Sequence, residues 1–107
     1  MGREGNFNMT DLDRVIHEPA RLRILMILSG ADTADFNFLL ATLGLSKGNL
    51  SAHIDRLENA GHVEVIKSFN GKVPHTEYRL TDSGRKALTD YWVAVDQIRA
   101  ISKRGRS

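Results

Sequence analysis

Asn49 and Ser51 are the side chains with most to offer chemically, and the offer is hydrogen bonding rather than bond making. A carboxamide pairs bidentately with the edge of adenine, and a hydroxyl serves either base type. Both lie in the stretch Leu43-Gly44-Leu45-Ser46-Lys47-Gly48-Asn49-Leu50-Ser51-Ala52-His53-Ile54-Asp55-Arg56-Leu57-Glu58-Asn59-Ala60-Gly61. At 3.6 residues per turn, Leu50, Ile54 and Leu57 share one face, and Gly48, Asn49, Ser51, Ala52, Asp55 and Arg56 occupy the other. A face this short and polar suits a helix that enters a major groove and meets base edges. A helix that is merely solvated more often carries long Glu and Lys there. The bland alternative for Asn49 is that it only caps or solvates the first turn.

The neighbours of this pair suggest supporting roles. Ser46 and Lys47 sit at the positive end of the helix, where a phosphate is held well. Gly48 costs helix stability, and close approach of a DNA backbone is a reason to keep it. Arg56 either contacts a phosphate or pairs with Asp55 or Glu58. His53 falls at the edge of the buried stripe, where packing is the first expectation and a phosphate bond from its rim is compatible with it. Lys67, Asn70, Lys72 and His75 surround a second feature, the Asn70-Gly71 turn, with Lys72 at its tip and suited to phosphate contact. Arg79 nearby is expected to serve Glu77 or Asp82. The four histidines show no paired ligand spacing and the chain has no cysteine, so neither a metal nor another cofactor is expected.

Residues 1–8 read as a flexible leader, and Met9, Leu12, Val15 and Ile16 predict a short first helix. Pro19 opens a second, buried helix that runs to about Leu28. A third covers Asp35 to Leu43, with Thr33 as its cap and Phe36, Leu39, Leu40 and Leu43 facing inward. Gly44 ends it, Leu45 plugs the turn, and Ser46 caps the helix described above, which Gly61 stops. After Gly61 the period changes to two. His62–Lys67 and His75–Leu80 read as strands around Asn70-Gly71, a strong hairpin signal, and Pro74 argues for an edge position. Thr81 caps a last helix that runs to about Ile101. The fold class is therefore mainly α with a small β-hairpin wing, a winged helix-turn-helix. One domain spans residues 9–101, and residues 102–107 form a basic tail for which disorder is the simpler expectation.

The last helix carries Leu88, Tyr91, Trp92, Val95 and Ile98, more apolar surface than one small domain covers from one side. Together with Leu12 and Val15 these residues are the expected interface of a two-fold dimer. The alternative is a well-buried core helix.

Composition adds boundaries. A chain of 107 residues with 41% hydrophobic content builds one small core. Its net charge of +2 is slight, so charge alone does not argue for nucleic acid. The distribution is more informative, because residues 44–107 hold eleven bases against seven acids while residues 1–43 hold four against six. The first residues lack the apolar core of a signal peptide and the myristoylation pattern, and Ile24–Leu28 is too short to span a bilayer. A soluble, cytoplasmic protein without membrane contact is expected.

The series Arg21-Leu22-Arg23-Ile24-Leu25, Asp35-Phe36-Asn37-Phe38-Leu39 and Gly44 to Ile54 resembles the winged-helix transcriptional regulators related to MarR and ArsR. Lys67 to Arg85, with its Lys72-Val73-Pro74 and Leu80-Thr81-Asp82-Ser83-Gly84, is similar to the compact winged-helix DNA-binding family within that group. The resemblance covers residues 12–98. It implies a homodimeric regulator of double-stranded DNA, with recognition helix 46–60 in the major groove and wing 67–76 at the flanking backbone or minor groove. One departure stands out: relatives usually have a basic residue after the wing proline, and this chain has His75, which implies weaker or pH-dependent wing contact.

The leading expectation is thus sequence-specific DNA binding by a transcriptional regulator. The alternative is a winged helix used for protein–protein or RNA interaction, which would fit the slight net charge and the acidic Asp55 on the reading face. No Ser-His-Asp set, phosphate loop or ligand cluster supports an enzyme. A cleft between the dimer helices and the DNA-binding domain is the expected place for any small apolar effector, and no polar constellation in the sequence identifies one.

Overall fold

The computed structural model describes residues 11–105, and the leader, Met9 and Arg106 lie outside that range. Seven elements follow one another: α1 (Pro19–Ser29), β1 (Ala34–Asp35), α2 (Phe36–Leu43), α3 (Lys47–Asn59), β2 (Val63–Asn70), β3 (Val73–Leu80) and α4 (Asp82–Arg104). The strands form one antiparallel sheet in the order β1-β3-β2. Three helices, the hairpin and the terminal helix together make a winged helix.

α1 begins where proline permits it, with Pro19 in the first turn and Glu18 as N-cap, its side chain accepting from the Arg21 N–H at 2.8 Å. It is the central helix of the core. Ile24, Leu25 and Leu28 are completely buried and pack with Leu39, Leu50, Leu57, Val63, Tyr78 and Leu80. Each such aliphatic side chain contributes about 1.5–3 kcal/mol of burial. A charged residue shares that buried side. Arg21 is 8% exposed, and its Nε donates to the Val15 carbonyl at 2.6 Å.

The short helix expected before α1 is a single turn. The Asp13 carboxylate takes the N–H groups of Val15 (2.8 Å) and Ile16 (3.3 Å), and the His17 N–H closes on the Asp13 carbonyl at 2.6 Å. Local side-chain bonds of this kind compete with helix propagation. Between α1 and α2 the structure adds β1, which the sequence reading omitted. Ala34 pairs with Tyr78 and Asp35 with Glu77. The cap of α2 is accordingly Asp35, which accepts from the Phe38 N–H at 2.7 Å. Thr33, the expected cap, instead donates to Glu77 at 3.0 Å.

The hairpin is longer than expected, with Asn70 opposite Val73 and the turn at Gly71-Lys72, where Gly71 has a φ of +67°. Its second strand is central rather than an edge. Pro74 is tolerated because β1 reaches only Tyr78 and Glu77, leaving the proline end of β3 with β2 as its one neighbour. α4 runs three residues past the expected Ile101, so Lys103 and Arg104 of the expected tail form its last turn, where cations suit the helix dipole.

Candidate nucleic-acid interface

The turn before α3 is built from backbone requirements. Gly44 takes a left-handed φ of +68° and its N–H returns to the Leu40 carbonyl at 3.0 Å, closing α2. Leu45 tucks against the core. Ser46 caps α3 by accepting from the Asn49 N–H at 3.1 Å. Leu50, Ile54 and Leu57 then fix the rotation of α3, being 0%, 3% and 0% exposed. Given that rotation, Lys47, Gly48, Asn49, Ser51, Ala52, Asp55 and Arg56 are all exposed, as the spacing predicted.

Gly48 is informative because nothing among the described residues requires it. Its φ is not positive, and a Cβ built there would meet none of their atoms within 4 Å. Glycine in a helix costs about 0.5–1 kcal/mol relative to alanine. The fold accepts that cost without an internal benefit. Arg56 pairs with neither Asp55 nor Glu58 and makes no ion pair among the described residues, so its charge stands free on the outer face.

His53 points elsewhere. It lies at the rim of the core, with Nδ1 3.2 Å from the buried Arg21 Nη1 and 3.8 Å from Glu18 Oε1. Burial raises the Glu18 pKa, but the Arg21 N–H bond, His53 and the Arg21 charge outweigh it and hold the carboxyl below its ordinary value of 4.5. Arg21 and Glu18 therefore pin the middle of α3 to the start of α1. The sequence reading missed Arg21, although its spacing to Ile24, Leu25 and Leu28 placed it on the buried stripe.

The hairpin stands beside α3 and the two enclose a groove of about 550 Å³, lined by Ser51, Ile54, Asp55 and Glu58 from the helix and Val65, Lys67, Thr76 and Tyr78 from the strands. Ser51 and Lys67, far apart in sequence, are thus brought to one surface. Tyr78 forms the floor. Its burial, and then the charges of Asp55 and Glu58, push its phenol above the usual 10.0. Asn70 and Lys72 are exposed at the tip.

His75 is not on this surface. Strand alternation puts it on the far side of β3, where its Nε2 lies 3.7 Å from the Glu77 carboxylate. Arg79, on that far side as well, pairs with Glu64 directly across the sheet at 2.8 Å rather than with Glu77 or Asp82.

α4 divides the residues expected at a dimer interface. Leu88 and Tyr91 are each 6% exposed and belong to the protomer's own core, against which Leu12, Val15 and Val95 also pack. The His17 Nδ1 and Tyr91 hydroxyl are 2.9 Å apart, and Trp92 stacks edge-on against Tyr91. Trp92 and Ile98 remain exposed, joined by Val93 and Ile101. From Asp96 to the end of α4 every residue is exposed. No helix among the described residues is long and apolar enough to cross a membrane, and no group of three or more His, Asp or Glu side chains among them is arranged to hold a metal.

Comparison with known proteins agrees with this architecture. Residues 20–99 match the family described as a winged helix DNA-binding domain. An uncharacterized protein of Methanocaldococcus jannaschii is 35% identical over 86 residues, covering 79% of this chain and 92% of that relative. The solved structure of a transcriptional regulator homologue from Pyrococcus horikoshii is similar with a TM-score of 0.77 at 25% identity, covering 94% of this chain and 96% of that one. A mutant MarR from E. coli, solved in complex with operator DNA, is similar with a TM-score of 0.64 at 26% identity, covering 73% of this chain and 55% of its own.

Proposed function

Since the chain belongs to the winged helix DNA-binding domain family, we propose that it is a sequence-specific, DNA-binding transcriptional regulator that acts as a homodimer and performs no catalysis. The observation that carries this reading is the outer face of α3. It is fully exposed, short and polar, and it includes a glycine that the fold itself has no use for. Ser46 and Lys47, at the helix N-terminus, hold a phosphate and set the depth of entry. Asn49 and Ser51 then reach base edges, with Gly48 and Ala52 giving clearance. Asp55, the residue least suited to a polyanion, serves as an acceptor for a cytosine amino group. Lys67, Asn70 and Lys72 hold the flanking backbone from the wing. His75, turned to Glu77, is left out of this contact set, and His53 acts by holding α3 in place.

The dimer reading draws on α4. From Asp96 onward it is exposed among the described residues, and Trp92, Val93, Ile98 and Ile101 suit a second copy of the same helix.

Selection from random-sequence duplexes over a salt series, with sedimentation alongside, tests the proposal. The expected result is a steep salt slope and enriched two-fold sites whose halves lie about one helical turn apart. A protein that ignores duplex DNA even at low salt overturns it and turns attention to protein or RNA partners.

A further inference from the structure

We propose that the wing tip is an apolar wedge, with Phe69 entering the DNA minor groove and partly unstacking a base step outside the major-groove half-site. The inference rests on the DNA-binding reading above and adds a specificity determinant to it. Phe69 is 73% exposed, more than any other large hydrophobic side chain among the described residues. Leaving a phenylalanine in water forgoes burial that the fold needs elsewhere.

The register says where Phe69 points. Val63 faces Leu80, Val65 faces Tyr78, Lys67 faces Thr76 and Phe69 faces Pro74. These pairs are successive rungs of one sheet face, and the rungs at Val65 and Lys67 line the groove with α3. Phe69 and Pro74 are the next rung outward. They present an apolar surface on the side that α3 shares, beyond the groove residues.

Charge selects the occupant. No Asp or Glu occurs from Val65 to Thr76, and Lys67 and Lys72 make no ion pair among the described residues. An aromatic ring between two free ammonium groups suits a groove with apolar sugar walls and phosphates on both rims. Minor-groove binders use Phe and Pro in this way, at the cost of unstacking a step. That cost is smallest at pyrimidine–purine steps, which are flexible. A TA or CA step in the flank is therefore preferred although no hydrogen bond reads it.

The test uses the selected duplex with its flank step as TA or as AA, and a 2-aminopurine at that step. The full chain is compared with Phe69→Ala, Phe69→Leu and Lys72→Ala, all surface changes. Wild type is expected to prefer the TA flank and to raise 2-aminopurine fluorescence. Phe69→Ala loses about tenfold in affinity for the TA duplex, loses the fluorescence rise and keeps the salt slope. Phe69→Leu retains most of both. Lys72→Ala weakens both duplexes alike and lowers the salt slope by about one. Unchanged affinity and fluorescence in Phe69→Ala, with wild type still binding, overturns the wedge and leaves the DNA reading standing. Failure of wild type to bind any duplex at low salt overturns both.

Discussion

α3 and α4 are both amphipathic helices that bury one side in the same core, yet their outer faces differ in one respect. α3 shows water glycine, alanine, serine and asparagine around two carboxylates and two bases, with no large apolar side chain, while α4 sets Trp92, Val93, Ile98 and Ile101 among its exposed charges. Burial accounts for the inner faces of both. The outer faces are free of the fold, so their chemistry reports what each helix meets. Short polar groups admit a hydrogen-bonding surface at close range, and large exposed apolar side chains suit another apolar surface.

The most severe way to break this contrast is to make α4 polar. Trp92→Asp with Ile98→Asp is expected to give a folded monomer by sedimentation, with operator affinity reduced about a thousandfold as the linked second half-site is lost. Circular dichroism on the same samples separates loss of the dimer from loss of packing, because Trp92 also stacks on Tyr91. A dimer that persists would show that the stripe on α4 is not the contact.

Asn49→Ala comes next. It should cost about 1–3 kcal/mol of binding to the selected site while nonspecific binding and thermal stability hold, because the side chain is exposed and its structural bond is through the backbone N–H. Equal loss on all sequences would make Asn49 a backbone contact. Gly48→Ala sharpens the comparison further because its two effects have opposite signs. Stability should rise by up to about 1 kcal/mol, since the Cβ has open space, whereas operator affinity should fall severalfold. A gain in both would remove the case for close approach.

The smallest effect concerns how α3 is held. The Glu18 carboxyl has its folded pKa below the ordinary 4.5, so the folded state binds its proton less readily than the unfolded chain. Its stabilisation is present above the ordinary value and disappears as pH falls through the lowered one. Denaturant melts over that acid range should show a slightly shallower loss for Glu18→Gln than for wild type. Identical acid limbs would show that the charge on Glu18 adds nothing to the fold.

Much of the architecture was legible because it is periodic. Leu50, Ile54 and Leu57 set α3, alternation from Val63 set the hairpin, and the glycines at 44 and 61 set the helix ends. What escaped was short or depended on distant partners. β1 has two residues, too few for any period, and exists because β3 offers Tyr78 and Glu77 to pair with. Leu12, Val15 and Ile16 have helical spacing, but Asp13 takes the amides and one turn suffices to bury Ile16. Arg21 looked solvated because charge is usually exposed, while its guanidinium is satisfied by Val15 and His53. Of the candidate interface, the α3 face could be read off helical geometry. The separation of Phe69 and Lys67 from His75 needed the strand register, since one residue of slip exchanges the two faces.

The joint at Gly84 gives these parts a mechanical relation. A Cβ there would lie 2.2 Å from the His62 carbonyl oxygen, so the first turn of α4 sits directly on the backbone that leads into the wing. Thr81 and Ser83 bolt it there, donating to the Gly61 carbonyl at 2.6 and 2.8 Å, while the Thr81 N–H reaches the His62 carbonyl at 3.0 Å. The 23 residues of α4 make an arm about 34 Å long. Its near half is held in the core through Leu88, Tyr91 and Ala94, and only the part from Asp96 overhangs. The root of the wing and the start of α4 therefore share one backbone joint, and any side chain at position 84 would have to push the two apart.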